Sequence, residues 1–187
     1  MPSHPVPPVP TATLKGVGGR SAFAVRLAVL GGVAVCAVGV VDHFSQWPLL
    51  TAALGPTAYV LIAHPRSVSA RLRNAVLGHS IGVGAGLAAL AIFGLWNAPS
   101  ISLVGHASLR QAGSAGLAIG VTLLLLHALR AHHAPSAATA LLIATDQAKV
   151  GPPLYGLVVG LAAIVAFAWV LNAIPALRDW RERADDS

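Results

Sequence analysis

A single cysteine, Cys36, in 187 residues leaves no internal disulfide and no cysteine-rich metal cluster, and it leaves the redox compartment open. Charge is equally scarce. Asp, Glu, Lys and Arg make up 10% of the chain, less than half of what an ordinary soluble domain carries, and this excludes that class. The formal charge is +6, but the cations lie in the gaps between apolar runs and at the ends of the chain. No basic stripe suited to nucleic acid forms, so no such partner is expected. Residues 1–20 lack the apolar core of a secretory signal. A nucleophile elbow, a phosphate loop and a Gly-rich dinucleotide motif are all missing, so neither an enzyme nor a cofactor is expected.

What remains is apolar. With 56% hydrophobic residues and a mean hydropathy of +0.74, the chain reads as an all-α integral membrane protein. Five prolines and Gly16, Gly18 and Gly19 mark residues 1–20 as a disordered tail, residues 21–176 as the transmembrane domain and residues 177–187 as a charged tail. No soluble domain is expected at either end. Apolar runs fall at about Ser21–Val41, Leu49–Ala63, Asn74–Trp96, Gln111–Leu129, Ser136–Thr145 and Leu154–Ile174. Four of these six runs approach the roughly 20 residues of a spanning helix, and the second and fifth fall short.

If all six runs cross, Lys15, Arg20, Arg66, Arg71, Arg73, Arg130, Arg178, Arg181 and Arg183 share the N-terminal side, Arg110 and Lys149 lie opposite, and Arg26 sits within the first helix. Nine cations against two favour a multi-pass protein of the inner (plasma) membrane with both termini cytoplasmic. The halves also echo one another. Gly86-Leu87-Ala88-Ala89 recurs as Gly160-Leu161-Ala162-Ala163, an offset of 160 − 86 = 74, and Gly55-Pro56-Thr57-Ala58 recurs as Ala134-Pro135-Ser136-Ala137, an offset of 134 − 55 = 79. The expected fold is a six-helix bundle of two inverted three-helix repeats, with the second and fifth helices short or broken. Trp47, Trp96 and Trp180 near run ends suit the membrane interfaces. Gly78, Gly82 and Gly86, Gly116 and Gly120, and Gly156 and Gly160 recur at the spacing of close helix packing.

The segments Gly55-Pro56-Thr57-Ala58-Tyr59, Arg71-Leu72-Arg73-Asn74-Ala75-Val76-Leu77-Gly78-His79 and His133-Ala134-Pro135-Ser136-Ala137-Ala138-Thr139-Ala140-Leu141 resemble the HPP family of small integral membrane proteins, over roughly residues 45 to 175. The family's His-Pro-Pro motif stands here as His133-Ala134-Pro135. Some relatives are associated with nitrite transport, so the resemblance implies a membrane fold and a small anion as substrate.

Candidate site residues follow from the short runs. Pro135 suits the first turn of a helix, and Ser136 and Thr139 can bond nearby backbone. Free amides there would form an anion receptor, and Gly55, Pro56 and Thr57 would supply a second one. A plainer alternative is that Pro56 and Pro135 only kink two helices. His132 and His133 adjoin the break and could supply a hydrogen bond or a proton. His79 reads either as a proton-handling group or as an interface residue beside the Arg66–Arg73 loop, and His127 as an interfacial residue. Asp42 and Asp146 end the first and fifth runs, either as gate residues or as solvated helix-end charges, with Lys149 as a partner. No metal site is expected, because the adjacent histidines diverge and no cysteine assists.

The expected function is transport of a small inorganic anion such as nitrite or nitrate. The expected partners are the lipid bilayer, that anion and a second copy of the chain in a homodimer. Two competing readings remain: a membrane scaffold or sensor acting through its glycine faces, and an intramembrane enzyme or haem protein.

Overall fold

A computed structural model describes residues 14–148 and 150–174, with side chains from residue 24 onward. The described residues form helices α1 (Leu14–Ser45), α2 (Leu54–Ala63), α3 (Leu72–Ile92), α4 (Ile101–Val104), α5 (Leu109–Ala128), α6 (Ser136–Ala144) and α7 (Pro152–Ala173), with a 3₁₀ turn at Val68–Ala70. Four segments are long and apolar enough to cross a bilayer: Ala24–Ser45, α3, α5 and α7. At about 1.5 Å per residue, α2 with 10 residues and α6 with 9 reach only half the roughly 30 Å of a hydrocarbon core.

Local chemistry fixes these boundaries. Pro65 restricts His64, where α2 stops. Ser108 and Gln111 close a reciprocal capping box at the start of α5. Helices α3, α5 and α6 end alike: Gly94, Arg130 and Asp146 adopt positive φ, and the amides of Leu95, Ala131 and Gln147 return to the carbonyls of Leu90, Leu126 and Leu142. The reversal after Arg130 leaves five residues, 131–135, to turn the chain inward to α6.

One boundary departs from expectation. α1 begins at Leu14 and not at Ser21, so residues 14–20, expected in the disordered tail, are helical. The last proline before them is Pro10, and once a helix is nucleated each further residue adds a hydrogen bond despite the glycines. The rest of that tail, the charged tail at 177–187, Trp180 and Lys149 lie outside the described residues.

Packing divides the helices into two sets, α3 with α5 and α6, and α7 with α1 and α2. Each glycine-bearing long helix therefore packs on the short helix of the other half. A Cβ at Gly82 would collide with the Ser136 carbonyl, and one at Gly86 with Ile143 and the Ala140 carbonyl. Gly156 and Gly160 receive the carbonyls of Pro48 and Leu49 in the chain leading to α2. Gly116 and Gly120 instead face open space, so that pair makes no close contact within the chain. Thr57, Ala58, Leu61 and Ile62 of α2 and Thr139, Ala140, Ile143 and Ala144 of α6 are buried in the same pattern. Their spacing is 139 − 57 = 82, three more than the motif echo gave. Pro56 lies inside the first turn of α2, whereas Pro135 precedes α6, and this shifts the register.

Gly82→Leu is expected to lower stability by about 1–3 kcal/mol, because a backbone carbonyl cannot move aside, whereas Gly116→Leu should be nearly neutral. Thermal unfolding of the purified variants in detergent checks the difference.

Candidate functional site

Five polar side chains meet where α2, α3 and α6 come together: Thr57, His79, His133, Ser136 and Thr139. All but His79 are fully inaccessible, and His79 is 7% exposed. Such groups are costly in an apolar bundle unless bonded, and four of them are. The His133 Nδ1 lies 2.7 Å from the Ser69 carbonyl. Its Nε2 lies 3.1 Å from the His79 Nε2, with the rings edge to face at 72°. The His79 Nε2 also lies 3.1 Å from the Thr57 Oγ1, and the His79 Nδ1 lies 2.8 Å from the Thr139 Oγ1. The Thr57 hydroxyl donates to the Ala53 carbonyl at 2.8 Å. Ser136 Oγ is buried without a hydrogen-bond partner, held against Gly78, where a Cβ would overlap both it and the His133 side chain.

A carbonyl only accepts, so the His133 Nδ1 carries its proton and, in the neutral ring, the Nε2 accepts. The His79 Nε2 must then donate, shared between His133 and Thr57, and the His79 Nδ1 accepts the Thr139 hydroxyl. One tautomer assignment satisfies every member but Ser136. Asn74 Nδ2 donates to the Val68 carbonyl at 2.8 Å and so anchors the turn that presents Ser69. Beside the cluster, a groove of about 640 Å³ runs between α3 and α7, lined by His79, Ser80, Val83, Leu161, Val165 and Trp169 among others.

The amides of α6 do not match the expected anion receptor. Those of Ser136, Ala137 and Ala138 close tight turns on the carbonyls of His133, Ala134 and Pro135, at 3.1, 3.2 and 3.1 Å. On α2, the Leu54 amide bonds the Thr51 carbonyl at 3.1 Å. On α6, short turns satisfy the donors that an isolated helix end would leave bare. The ligating capacity lies in imidazole and hydroxyl groups.

Other expected residues fall elsewhere. Pro135 is buried beside the cluster, but Gly55 and Pro56 lie on the exposed side of α2. His132 is exposed and meets His127 edge to face, 6.2 Å apart. Asp42 accepts the Leu50 amide at 2.9 Å, fastening the α1–α2 connection. Asp146 is 2% exposed, so it is not a solvated charge; it sits at the end of α6 opposite His133. His79 is likewise no interface residue. Ser69, Asn74 and Gly78 were not anticipated as site residues. Asn74 and Gly78 lay within the segment that carries the family resemblance, and Gly78 also stood in the glycine repeat of close helix packing. No group of three metal-ligating side chains forms among the described residues.

Comparison with known families finds a model described as "HPP, transmembrane region" matching residues 19–181. Among curated proteins and among solved structures, no match is found.

His79→Ala and His133→Ala are each expected to cost about 1–3 kcal/mol by stranding a buried partner. Because the two rings share a bond, the double variant should cost less than the sum by at least 0.5 kcal/mol. Chemical denaturation in mixed micelles measures this, and additive losses would refute the contact.

Proposed function

The chain belongs to the HPP family of transmembrane proteins, and from that premise we propose that it is a transporter or channel for a small inorganic anion of the nitrite or nitrate kind. The observation that carries this reading is the buried cluster of Thr57, His79, His133, Ser136 and Thr139 between two half-length helices. Ionisable side chains buried inside a membrane bundle are costly, and they mark solute or proton pathways. The hydroxyls and the His79 N–H supply the hydrogen bonds to the ion, in place of helix amides. In the described conformation these donors are bonded to one another. An arriving anion exchanges its own acceptors for those contacts. The choice of nitrite or nitrate rests on family resemblance.

The two sets of helices support an inverted repeat with exchanged third members: α3 sits on α5 and α6 as α7 sits on α1 and α2. Each short helix crosses together with its non-helical lead-in. Between the turns at Gln46 and at Ala52–Ala53, residues 48–51 are neither helix nor turn, and at about 3.3 Å each they add about 13 Å to the span of α2. Non-helical backbone at that depth must be buried in protein, and Pro48 and Leu49 lie against Gly156 and Gly160. On this reading the chain makes six crossings, and the cation distribution favours cytoplasmic termini and a plasma-membrane location. Of the glycine faces on which the scaffold reading relies, Gly78, Gly82, Gly86, Gly156 and Gly160 are occupied within the chain, which leaves it Gly116 and Gly120.

Purified protein in liposomes should take up nitrite or nitrate faster than empty vesicles. Thr139→Val should slow uptake about tenfold or more, the loss of one hydrogen bond to a charged ligand, while the variant still elutes as folded protein. Uptake no faster than in empty vesicles for nitrite, nitrate, chloride and formate defeats the proposal.

A further inference from the structure

The geometry points to a site for one exchangeable proton shared by His79 and His133, and, on the reading that the chain moves an anion, to proton-coupled transport. The Ser69 carbonyl can only accept a hydrogen bond. It holds a proton on the His133 Nδ1, and this orders the neutral chain: Thr139 hydroxyl to His79 Nδ1, His79 Nε2 to His133 Nε2, His133 Nδ1 to Ser69.

The same four groups accept one more proton while keeping the three contacts between them; the Thr57 hydroxyl alone gives up either the His79 Nε2 or the Ala53 carbonyl. The incoming proton settles on the His79 Nδ1, the Thr139 hydroxyl turns to accept, and the His79 Nε2 proton passes to the His133 Nε2. Two imidazoles with two N–H groups become two imidazoles with three N–H groups and a single positive charge, resting on His133 beside the Ser69 carbonyl. A second added proton would set N–H against N–H at the 3.1 Å contact between the two Nε2 atoms. The capacity is therefore one. Access runs through His79, which borders the groove between α3 and α7 while His133 is sealed.

The surroundings couple the proton to an anion. Facing elements hold no carboxylate against the pair among the described residues. On α2 the titratable group is Tyr59, exposed and bonded to His64. α6 has none, and Asp146 follows its far end. On α7 Tyr155 stacks near Trp47. Arg66, Arg71 and Arg73, around the turn and the start of α3, are exposed, as is His132. A buried imidazolium without a carboxylate is unfavourable, so the anion supplies its counter-charge. Each ion then raises the affinity for the other by the same factor.

Nitrogen-15 NMR of histidine-labelled full-length protein in nanodiscs tests the proton site without reference to transport. At neutral pH, His133 should show the Nδ1–H tautomer and His79 the Nε2–H tautomer, assigned by His79→Gln and His133→Gln. On acidification the pair should give one imidazolium. Reversed tautomers, two imidazolium signals rising together, or no imidazolium while the protein stays folded overturns the site. Coupling is read in liposomes clamped at zero membrane potential: an inward gradient of one pH unit should accumulate nitrite about tenfold. Nitrite uptake indifferent to the gradient overturns coupling. Absence of uptake under any gradient, with the one-proton NMR signature present, overturns the transport reading and leaves the proton site standing.

Discussion

The missing side chains at Gly78 and Gly82 set the distance between α3 and the start of α6, and the site depends on that distance. Any Cβ there would meet the Ser136 hydroxyl, the His133 side chain or the Ser136 carbonyl. With bare Cα atoms in place, His133 reaches the His79 ring from the neighbouring turn of chain, and Thr139 reaches its other nitrogen. In an apolar solvent, helix association rests on such close packing, because burial from water contributes little. Function and packing thus use the same helix face.

The polar cluster is closed on itself, and that has an energetic consequence. An unpaired imidazole or hydroxyl in an apolar interior costs several kcal/mol. The Ser69 carbonyl and the two threonines engage three of the four ring nitrogens, the two Nε2 atoms engage each other, and the Ala53 carbonyl takes the Thr57 hydroxyl, which together reduce that penalty. Ser136, buried without a partner, is the exception. It stands at the start of α6 beside the two histidines, the position where a further polar ligand would gain most. The helix amides are already engaged by tight turns, so the electrostatics of the site come from side chains more than from helix ends.

Much of the fold was legible in the sequence because apolar run length and proline placement are local signals. The fifth run and α6 agree within one residue, and Asn74–Trp96 and Leu154–Ile174 locate α3 and α7. Lead-in residues 49–53 were read as part of the second run because apolarity does not distinguish extended chain from helix. The start of α1 at Leu14 was missed because glycine content argues against a helix that propagation from a formed nucleus nevertheless allows. For the site, His133, Ser136, Thr139 and Thr57 were found from their position beside a break. The meeting of His79 with His133, 54 residues apart, was not legible, since no periodicity encodes a contact between helices. Gly55 and Pro56 share their motif with Thr57 yet face outward, because a motif does not reveal which side of a short helix is buried.

The central claim is that the imidazole and hydroxyl cluster is where the anion sits. A high-resolution structure of the protein in a bilayer mimetic with nitrite tests it most directly. The account predicts the ion among Thr139, His79 and Ser136, with the His79–His133 contact lengthened to admit it. Nitrite resting elsewhere, with the two rings still 3.1 Å apart, would contradict it.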